Sequence, residues 1–358
     1  MSRSAVAAAL ARLPRKALVR LPTPLERAPN LSRTLGIDLW IKRDDLTGLA
    51  LGGNKARKLE YLVGDALADG ATSLMTTAAA QSNFCRATAA AAARAGLRAQ
   101  LLLRGTGAEP IQGNLLLDRL LGADIRFTSD MDPYSDATRR RLSAWADEER
   151  ARGRRPYPMY LHGGSRAGAL GTAAYVRAAI ELDDQFAAGG IHPAHVYVAA
   201  GSGSTLAGLL VGARRAAERL AQARLVGVCV GALSPVIGPK IREFARAAAA
   251  LLDATPLGDG VAADDGVTLD DGQRGEAYGV PTPAALDAIR TAAAADAVIF
   301  NPVYTGKAFA ALLADVARGA VTAGSTVVFI NTGGDPLVFT HADRLAAHPT
   351  PRPIQEVT

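Results

Sequence analysis

The stretch HVYVAAGSGSTLAGLL, residues 195–210, runs from a predicted strand into a predicted helix. Its first six residues are mostly apolar and favour a buried strand, whereas its alanine- and leucine-rich end favours a helix. A short loop of glycines and hydroxyl residues joins the two. A strand that passes through a short loop into a helix is typical of the repeating unit of a parallel α/β sheet.

The same alternation extends along most of the chain. Further strands are predicted at residues 39–43, 73–77, 98–105, 124–129, 224–230, 297–301 and 325–331. Helices are predicted at residues 56–70, 84–96, 113–123, 136–152, 236–253 and 306–319, and from the 201–205 loop to about residue 221. This pattern indicates parallel sheets covered by helices on both faces. We therefore expect two α/β domains, with the break near residues 156–165 and ligands at the carboxyl ends of the strands.

Composition excludes several classes of protein. The chain has 358 residues, 49% hydrophobic, and a net charge of +6 from 40 basic and 34 acidic residues. The basic residues are scattered, which argues against nucleic-acid binding. The two cysteines, Cys85 and Cys229, form no disulfide framework and have no metal-ligand spacing, so no metal is expected. The N-terminus resembles neither a signal peptide nor a membrane span, and we expect a cytoplasmic protein.

The loop after the strand at 195–200 has the composition of a phosphate site. It supplies two glycines and three hydroxyl side chains: Gly201, Ser202, Gly203, Ser204 and Thr205. Glycines allow close approach of an anion, and a helix N-terminus attracts it. Leu206 stands where a dinucleotide fingerprint has its third glycine, which disfavours a nucleotide-dependent oxidoreductase. A plain strand-to-helix turn is the alternative.

Lys55 lies at the start of the helix predicted after Gly52, Gly53 and Asn54. The positive end of the helix dipole and burial in a crevice both disfavour its charged form. A neutral amine is the nucleophile that forms a Schiff base. A lysine of this kind, together with a separate phosphate site, indicates pyridoxal phosphate as the cofactor.

Three consecutive polar residues, Gln81, Ser82 and Asn83, begin the helix after the strand at 73–77. Ser or Asn there is a common N-cap. Three together exceed what capping needs, and they favour a pocket for a substrate carboxylate.

Other strand ends carry further candidates. Thr332 could lie beside the pyridine nitrogen of the coenzyme, where a hydroxyl offers no negative charge to hold a proton. That arrangement weakens the ring as an electron sink and suits an elimination. Tyr278 and Tyr304 could stack on the coenzyme or transfer a proton at the substrate, or each could be an ordinary half-buried tyrosine.

Six segments together resemble one family. They are KRDDLTGLALGGNKARKLE, QSN, GGS, AAGSGSTLAGL, NPVYTGKA and NTGGDP, which occur in the family's order between residues 39 and 336. The chain resembles the D-cysteine desulfhydrase and 1-aminocyclopropane-1-carboxylate deaminase family. The resemblance implies a homodimer with two doubly wound α/β domains of the tryptophan synthase β-like fold and the active site in the interdomain cleft. The large, coenzyme-binding domain would comprise residues 1–48 and 163–358, and residues 49–162 would form a smaller domain with the Schiff-base lysine.

The resemblance also implies roles for the candidate residues. Lys55 would carry pyridoxal phosphate, Asn54 would contact its 3-hydroxyl side, Thr332 its ring nitrogen, and residues 201–205 its phosphate. A small amino-acid substrate would contact five residues: Gln81, Ser82, Asn83, Phe84 and Tyr304. Ser82 and the two tyrosines would also be candidates for proton transfer. Tyr278 would face the substrate or the ring.

The chain departs from the family pattern at four places. Phe84 replaces a histidine, alanines at 78–80 replace glycines, and Asn331 replaces the histidine before Thr332. The deaminase branch has a glutamate after its tyrosine, where this chain has Thr305. Loss of that acid argues against opening of a cyclopropane ring.

The interpretation that we favour is a lyase that removes the α-proton of a small amino acid and expels a β-substituent such as thiol. Aminoacrylate would then hydrolyse to an α-keto acid and ammonia, with Lys55 as the base. A deaminase or a β-replacement enzyme of a specialised pathway is the first alternative. A catalytically silent coenzyme-binding homologue is the second, because Phe84 and the alanine loop depart from the family.

Overall fold

The computed structural model describes residues 2–130, 135–160, 162–252 and 267–347. Residue 161, within the predicted domain break, and residue 253, at the end of a predicted helix, lie outside these ranges. The strands are β1 (Leu25–Arg27), β2 (Asp38–Arg43), β3 (Ser73–Ala79), β4 (Arg98–Arg104), β5 (Asp124–Thr128), β6 (Pro156–Pro158), β7 (His195–Ala200), β8 (Arg224–Cys229), β9 (Val267–Asp270) and β10 (Thr326–Asn331).

Helices cover both sheets. They are α1 (Arg3–Arg12), α2 (Pro29–Leu35), α3 (Asn54–Ala68), α4 (Asn83–Ala95), α5 (Gly113–Leu120), α6 (Asp136–Ala151), α7 (Arg166–Gly189), α8 (Ser204–Arg215), α9 (Glu218–Gln222), α10 (Ser234–Leu251), α11 (Pro283–Asp296), α12 (Thr305–Ala317), α13 (Pro336–Phe339) and α14 (Ala342–Ala347). A short 3-10 helix, Asp44–Thr47, follows β2.

The strands form two sheets. One has the order β1-β2-β10-β7-β8-β9 and the other the order β5-β4-β3-β6. Within each sheet, all described neighbouring strands pair in parallel, except that β1 pairs antiparallel with β2. The prediction of an α/β fold with parallel sheets is therefore confirmed. The four-stranded sheet lies within residues 73–158, and we propose that it marks the smaller of the two predicted domains.

One predicted strand is wrong. Residues 297–301, AVIFN, pair with no strand in the described chain. Ala297 ends α11 in the left-handed conformation, with φ of 54°. Phe300 then packs on Phe309 and Phe329 at ring-centroid distances of 4.9 Å each. Val298 and Phe300 are buried in the core between helix and sheet, whereas Ile299 is 46% exposed, so the segment contributes two side chains to the core without joining the sheet.

One predicted helix is two. The helix expected to continue to about residue 221 ends at Arg215, and α9 begins at Glu218. The buried carboxylate of Asp183, on α7, accepts hydrogen bonds from the backbone N–H groups of Arg219 (2.8 Å) and Leu220 (3.1 Å). These bonds cap a new helix start, since the first N–H groups of a helix lack partners of their own.

The topology brings the loops of the candidate site together. Strands β10 and β7 are parallel neighbours, so their carboxyl ends meet at one edge of the sheet. Thr332 follows one and Gly201 the other, and the β3–α4 loop with Ser82 ends a strand of the second sheet. Throughout the described ranges, no helix is both long and apolar enough to cross a membrane.

Candidate active site

The lysine lies where sequence analysis placed it, at the second residue of α3. Gly53 precedes the helix with φ of 104°, and a Cβ on Gly52 would lie 1.7 Å from the carbonyl oxygen of Asp45. Only glycine tolerates this backbone and this close approach. The glycine pair therefore serves the tight turn that carries the chain into α3.

The Lys55 side chain is half-buried, and burial lowers the pKa of its amine from 10.5 to about 8. From the sequence we expected burial and the helix dipole together to lower this pKa, and in the structure burial alone accounts for the decrease. A lysine with this pKa is partly neutral near physiological pH, as a nucleophile or a base must be.

A second lysine lies one turn further along α3, and sequence analysis assigned it no role. Lys58 is buried, and its Nζ donates a hydrogen bond of 2.6 Å to Ser204 Oγ at the start of α8. In the described part of the chain, no carboxylate forms an ion pair with it. Burial, and secondarily the charge of Lys55, hold the pKa of Lys58 well below its usual value. The spacing of three residues from Lys55 could have indicated that the two lysines share one face of the helix.

The candidate phosphate loop, residues 201–205, is a tight turn onto α8. Gly203 has φ of 89°, and a Cβ there would lie 2.5 Å from Ile241 Cγ1. Asn54 Nδ2 donates to Thr205 Oγ1 at 3.1 Å, which ties the start of α3 to the start of α8. Ser202 and Ser204 hydroxyls are 3.2 Å apart. The N-terminus of α3, which carries Lys55, therefore contacts the N-terminus of α8 directly.

The TGG loop after β10 completes this side of the site. Asn54 N–H donates to the carbonyl oxygen of Thr332 at 3.0 Å. Asn331 Oδ1 accepts from Gly333 N–H at 3.1 Å, so this residue shapes the turn. Asn301, also without a role in the sequence analysis, donates from Nδ2 to the carbonyl oxygen of Gly333.

The residues expected to bind the substrate carboxylate have structural partners as well. Ser82 Oγ accepts from the N–H groups of Phe84 (3.1 Å) and Cys85 (3.2 Å), so it is the N-cap of α4. Gln81 Oε1 accepts from Asn114 N–H at 2.9 Å. The capping alternative therefore holds for Ser82.

Asn83 and Phe84 lie beside this cap at the start of α4. Asn83 Oδ1 accepts from Asn114 Nδ2 at 2.8 Å, and its own Nδ2 lies against Gly334 of the TGGDP segment. Phe84 is buried in the main apolar cluster. Asn83 therefore lies near the TGGDP segment, while the Phe84 side chain contributes to the core.

The two tyrosines lie together. Their hydroxyl groups are hydrogen-bonded, and their rings are 6.1 Å apart in an edge-on arrangement. The Tyr304 ring lies against Gly201, because a Cβ there would be 3.2 Å from Tyr304 Cε1. Tyr278 is 45% exposed, which places it at the rim. The hydroxyl of Thr305 accepts from Asn301 N–H at 2.8 Å and is buried.

Pyridoxal phosphate fits these residues. The buried Lys58 amine contacts the Ser204 hydroxyl at the N-terminus of α8 and lies 5.5 Å from the centre of the Tyr175 ring, and no described carboxylate pairs with it. A phosphate group there would supply the missing negative charge. Lys55 is the second residue of α3, the helix that also carries Lys58, and burial lowers the pKa of its amine to about 8. Candidate metal ligands do not cluster in the described chain, where no three His, Cys, Asp or Glu side chains are placed to share an ion.

Comparison with known proteins supports pyridoxal phosphate as the cofactor. The family described as pyridoxal-phosphate dependent enzyme matches residues 17–333. A putative 1-aminocyclopropane-1-carboxylate deaminase of Pyrococcus horikoshii is 40% identical over 338 residues, which are 94% of this chain and 97% of that protein. A D-cysteine desulfhydrase of Salmonella choleraesuis is 39% identical over 338 residues, 93% and 97% of the two chains.

A solved structure is also similar. The crystal structure of an ACC deaminase homologue superimposes with a TM-score of 0.83 at 37% identity and covers 96% of this chain and 99% of that one.

Proposed function

This chain belongs to the family of pyridoxal-phosphate dependent enzymes, and from that premise we propose that it catalyses β-elimination from a small amino acid, as a D-cysteine desulfhydrase does. With D-cysteine and water, the products would be pyruvate, ammonia and hydrogen sulfide. The protein is a pyridoxal-phosphate dependent lyase of the group whose relatives are named as desulfhydrases and deaminases. A homodimer and a cytoplasmic location are expectations from the sequence and the family.

One observation carries the proposal. Lys55 lies in the first turn of α3, and burial lowers the pKa of its amine to about 8. One turn further along α3, Lys58 contacts Ser204 at the N-terminus of α8. Lys55 Nζ would bond to the aldehyde carbon of the coenzyme in the resting enzyme and would act as base for the α-proton during turnover. Its partly neutral state at physiological pH supports both roles.

Residues on three loops would hold the coenzyme. Lys58, with the backbone and hydroxyl groups of residues 201–205, would bind the phosphate, Asn54 the 3-hydroxyl side and Thr332 the ring nitrogen. Bound pyridoxal phosphate supplies an electron sink for the α-carbon of the substrate. A neutral hydroxyl beside the ring nitrogen keeps that sink moderate, which suits an elimination with a good leaving group.

The tyrosine pair would serve the leaving group. Tyr304 lies against Gly201, next to the phosphate loop, and its hydroxyl contacts that of Tyr278. Either hydroxyl could pass a proton to a departing thiolate. Asn83, near Gly334, is the residue of the QSN segment best placed to face a substrate carboxylate.

The residue after Tyr304 favours elimination over ring opening. Thr305 directs its hydroxyl to the backbone N–H and side-chain amide of Asn301 and is fully buried. It therefore offers neither a carboxylate nor a hydroxyl facing a substrate. The deaminase branch has a glutamate at this position, and without it we propose desulfhydrase-like rather than deaminase-like chemistry.

A substrate panel tests the proposal. D-cysteine, β-chloroalanine, cysteate and the cyclopropane amino acid are incubated with the coenzyme-loaded protein, and keto acid, ammonia and sulfide are measured. We expect equal amounts of pyruvate, ammonia and sulfide from D-cysteine, and none from a Lys55→Met variant. Turnover of the cyclopropane acid alone would favour the deaminase alternative. A protein that binds the coenzyme but converts no substrate would be the silent homologue.

A further inference from the structure

The backbone just before Lys55 is unusual. Four consecutive residues have positive φ: 41° at Ala50, 66° at Leu51, 65° at Gly52 and 104° at Gly53. Two of them are not glycine, and such residues rarely adopt this conformation. A segment of this kind keeps its shape only where its surroundings determine it. Because it leads directly into α3, its shape sets where Lys55 lies.

One side chain from another helix is hydrogen-bonded to this segment. Arg86, on α4, is 1% exposed. Its Nη1 donates to the carbonyl oxygen of Ala50, and its Nη2 donates to that of Gly52 at 3.1 Å. A Cβ on Gly53 would lie 3.8 Å from Nη2. The guanidinium therefore fastens two carbonyl groups that flank the exposed Leu51.

This arginine lacks the partner that a buried arginine ordinarily has. Its closest carboxyl neighbours by charge are Asp335 and Asp118, and in the described chain neither forms an ion pair with it. Asp118 is fully buried, and burial raises its pKa to about 8, so it is mostly protonated near neutral pH. Burial lowers the pKa of Arg86 to about 10, which still leaves it charged. The direct hydrogen-bond partners of the charge are thus backbone carbonyls.

We propose that Arg86 is a positioning residue: it holds segment 50–53 so that the amine of Lys55 stays half-buried and aimed into the site. This inference rests on the proposed function, since it assigns Lys55 the reacting amine. Arg86 touches no reacting atom itself. Arg86 lies on α4, which begins three residues earlier with Asn83. One helix therefore supports both segment 50–53 and the candidate carboxylate site.

The test compares Arg86→Gln and Arg86→Lys with a matched control, Arg94→Gln, an exposed arginine on the same helix. The first measurement uses coenzyme-free protein. Limiting acetic anhydride is applied over a range of pH, and mass spectrometry of the Lys55 peptide gives the apparent pKa of its amine. We expect about 8 in the wild type and the control. Arg86→Gln should raise it by about one unit or more, toward the ordinary value of about 10.4.

The second measurement is steady-state kinetics with the best substrate of the panel. Loss of positioning should lower kcat roughly 10- to 100-fold while KM changes less than about threefold, since misplaced reacting groups slow the chemical step. Arg86→Lys, with a single ammonium for two carbonyl groups, should give intermediate values in both measurements. Circular dichroism establishes that each variant is folded.

An unchanged Lys55 labelling profile and an unchanged kcat in folded Arg86→Gln would overturn the proposal. Where that variant does not fold, wild-type values of both quantities in Arg86→Lys would overturn it. A shifted labelling profile in a protein that converts no substrate would refute the proposed function but support the positioning role, so the two failures are distinguishable.

Discussion

Replacement of Lys58 by methionine gives the sharpest test of the coenzyme site. Methionine keeps the length of the side chain and removes its charge. In the structure, Lys58 Nζ lies 2.6 Å from Ser204 Oγ, is buried and has no carboxylate in an ion pair among the described residues. A hydrogen bond to a charged group contributes about 1.5–3 kcal/mol. We therefore expect coenzyme affinity to fall about 10- to 150-fold, since about 1.4 kcal/mol corresponds to a factor of ten.

The same substitution should affect the coenzyme-free protein in the opposite direction. Burial and the charge of Lys55 both hold the pKa of Lys58 well below its usual value, which means that its charged form is disfavoured there. Methionine removes that cost. We expect coenzyme-free Lys58→Met to be at least as stable as the wild type, although the loaded variant is less stable than the loaded wild type.

Two assays measure these effects. Titration of coenzyme-stripped protein with pyridoxal phosphate, followed by absorbance, gives the dissociation constant. Thermal unfolding with and without the coenzyme gives the two stabilities. Lys16→Met, at an exposed lysine, is the control. An affinity within twofold of the wild type, in a folded Lys58→Met protein, would refute the assignment of Lys58 to the phosphate.

Three further predictions concern Lys55, Lys307 and Gly203. Burial lowers the pKa of Lys55 from 10.5 to about 8, so between these pH values the unfolded chain binds more protons than the folded chain. The stability of the coenzyme-free wild type relative to Lys55→Met should therefore rise with pH across that window, by up to about 3 kcal/mol. A stability difference that stays constant with pH in urea denaturation would contradict this. Lys307 Nζ donates to the carbonyl oxygen of Arg274 at 2.6 Å in the segment before Tyr278; Lys307→Met should lower kcat about 10-fold without weakening coenzyme binding, and an unchanged kcat would count against it. Gly203→Ala should lower the free energy of unfolding by about 1–3 kcal/mol more than Gly36→Ala does. Both glycines have positive φ, but only a Cβ at position 203 would meet another residue within 4 Å, namely Ile241. Equal losses of stability in chemical denaturation would show that the contact with Ile241 is unimportant.

The regular elements were predictable because local apolar periodicity is the same signal that packing uses. Strands β7 and β10 and helix α3 came within a few residues of their predicted bounds. The pattern failed where burial and strand pairing separate. In residues 297–301, Val298 and Phe300 are buried in the core, and Phe300 packs on aromatic neighbours, but the segment joins no sheet among the described residues. The end of α8 depends on a carboxylate from α7, which no local pattern contains.

The candidate site divides in the same way. Lys55 and the 201–205 loop could be proposed as candidates from sequence because a lysine at a helix start and a glycine-rich strand-to-helix loop are local features. Lys58 and Arg86 were missed because their partners, Ser204 and the carbonyl of Gly52, are distant in sequence. A buried charge can be recognised only once the fold shows what surrounds it.

We expect the half-buried Lys55, rather than the buried Lys58 or Lys307, to bond to the coenzyme. Burial lowers the pKa of Lys55 and of Lys307 to about 8, and Lys58 is also shifted downward, so amine reactivity alone does not single one out. Borohydride reduction of the coenzyme-loaded protein, followed by peptide mass spectrometry, identifies the modified residue. We expect one pyridoxyl group per chain, on Lys55. A modified Lys58 or Lys307 with an unmodified Lys55, or no adduct at all, would contradict it.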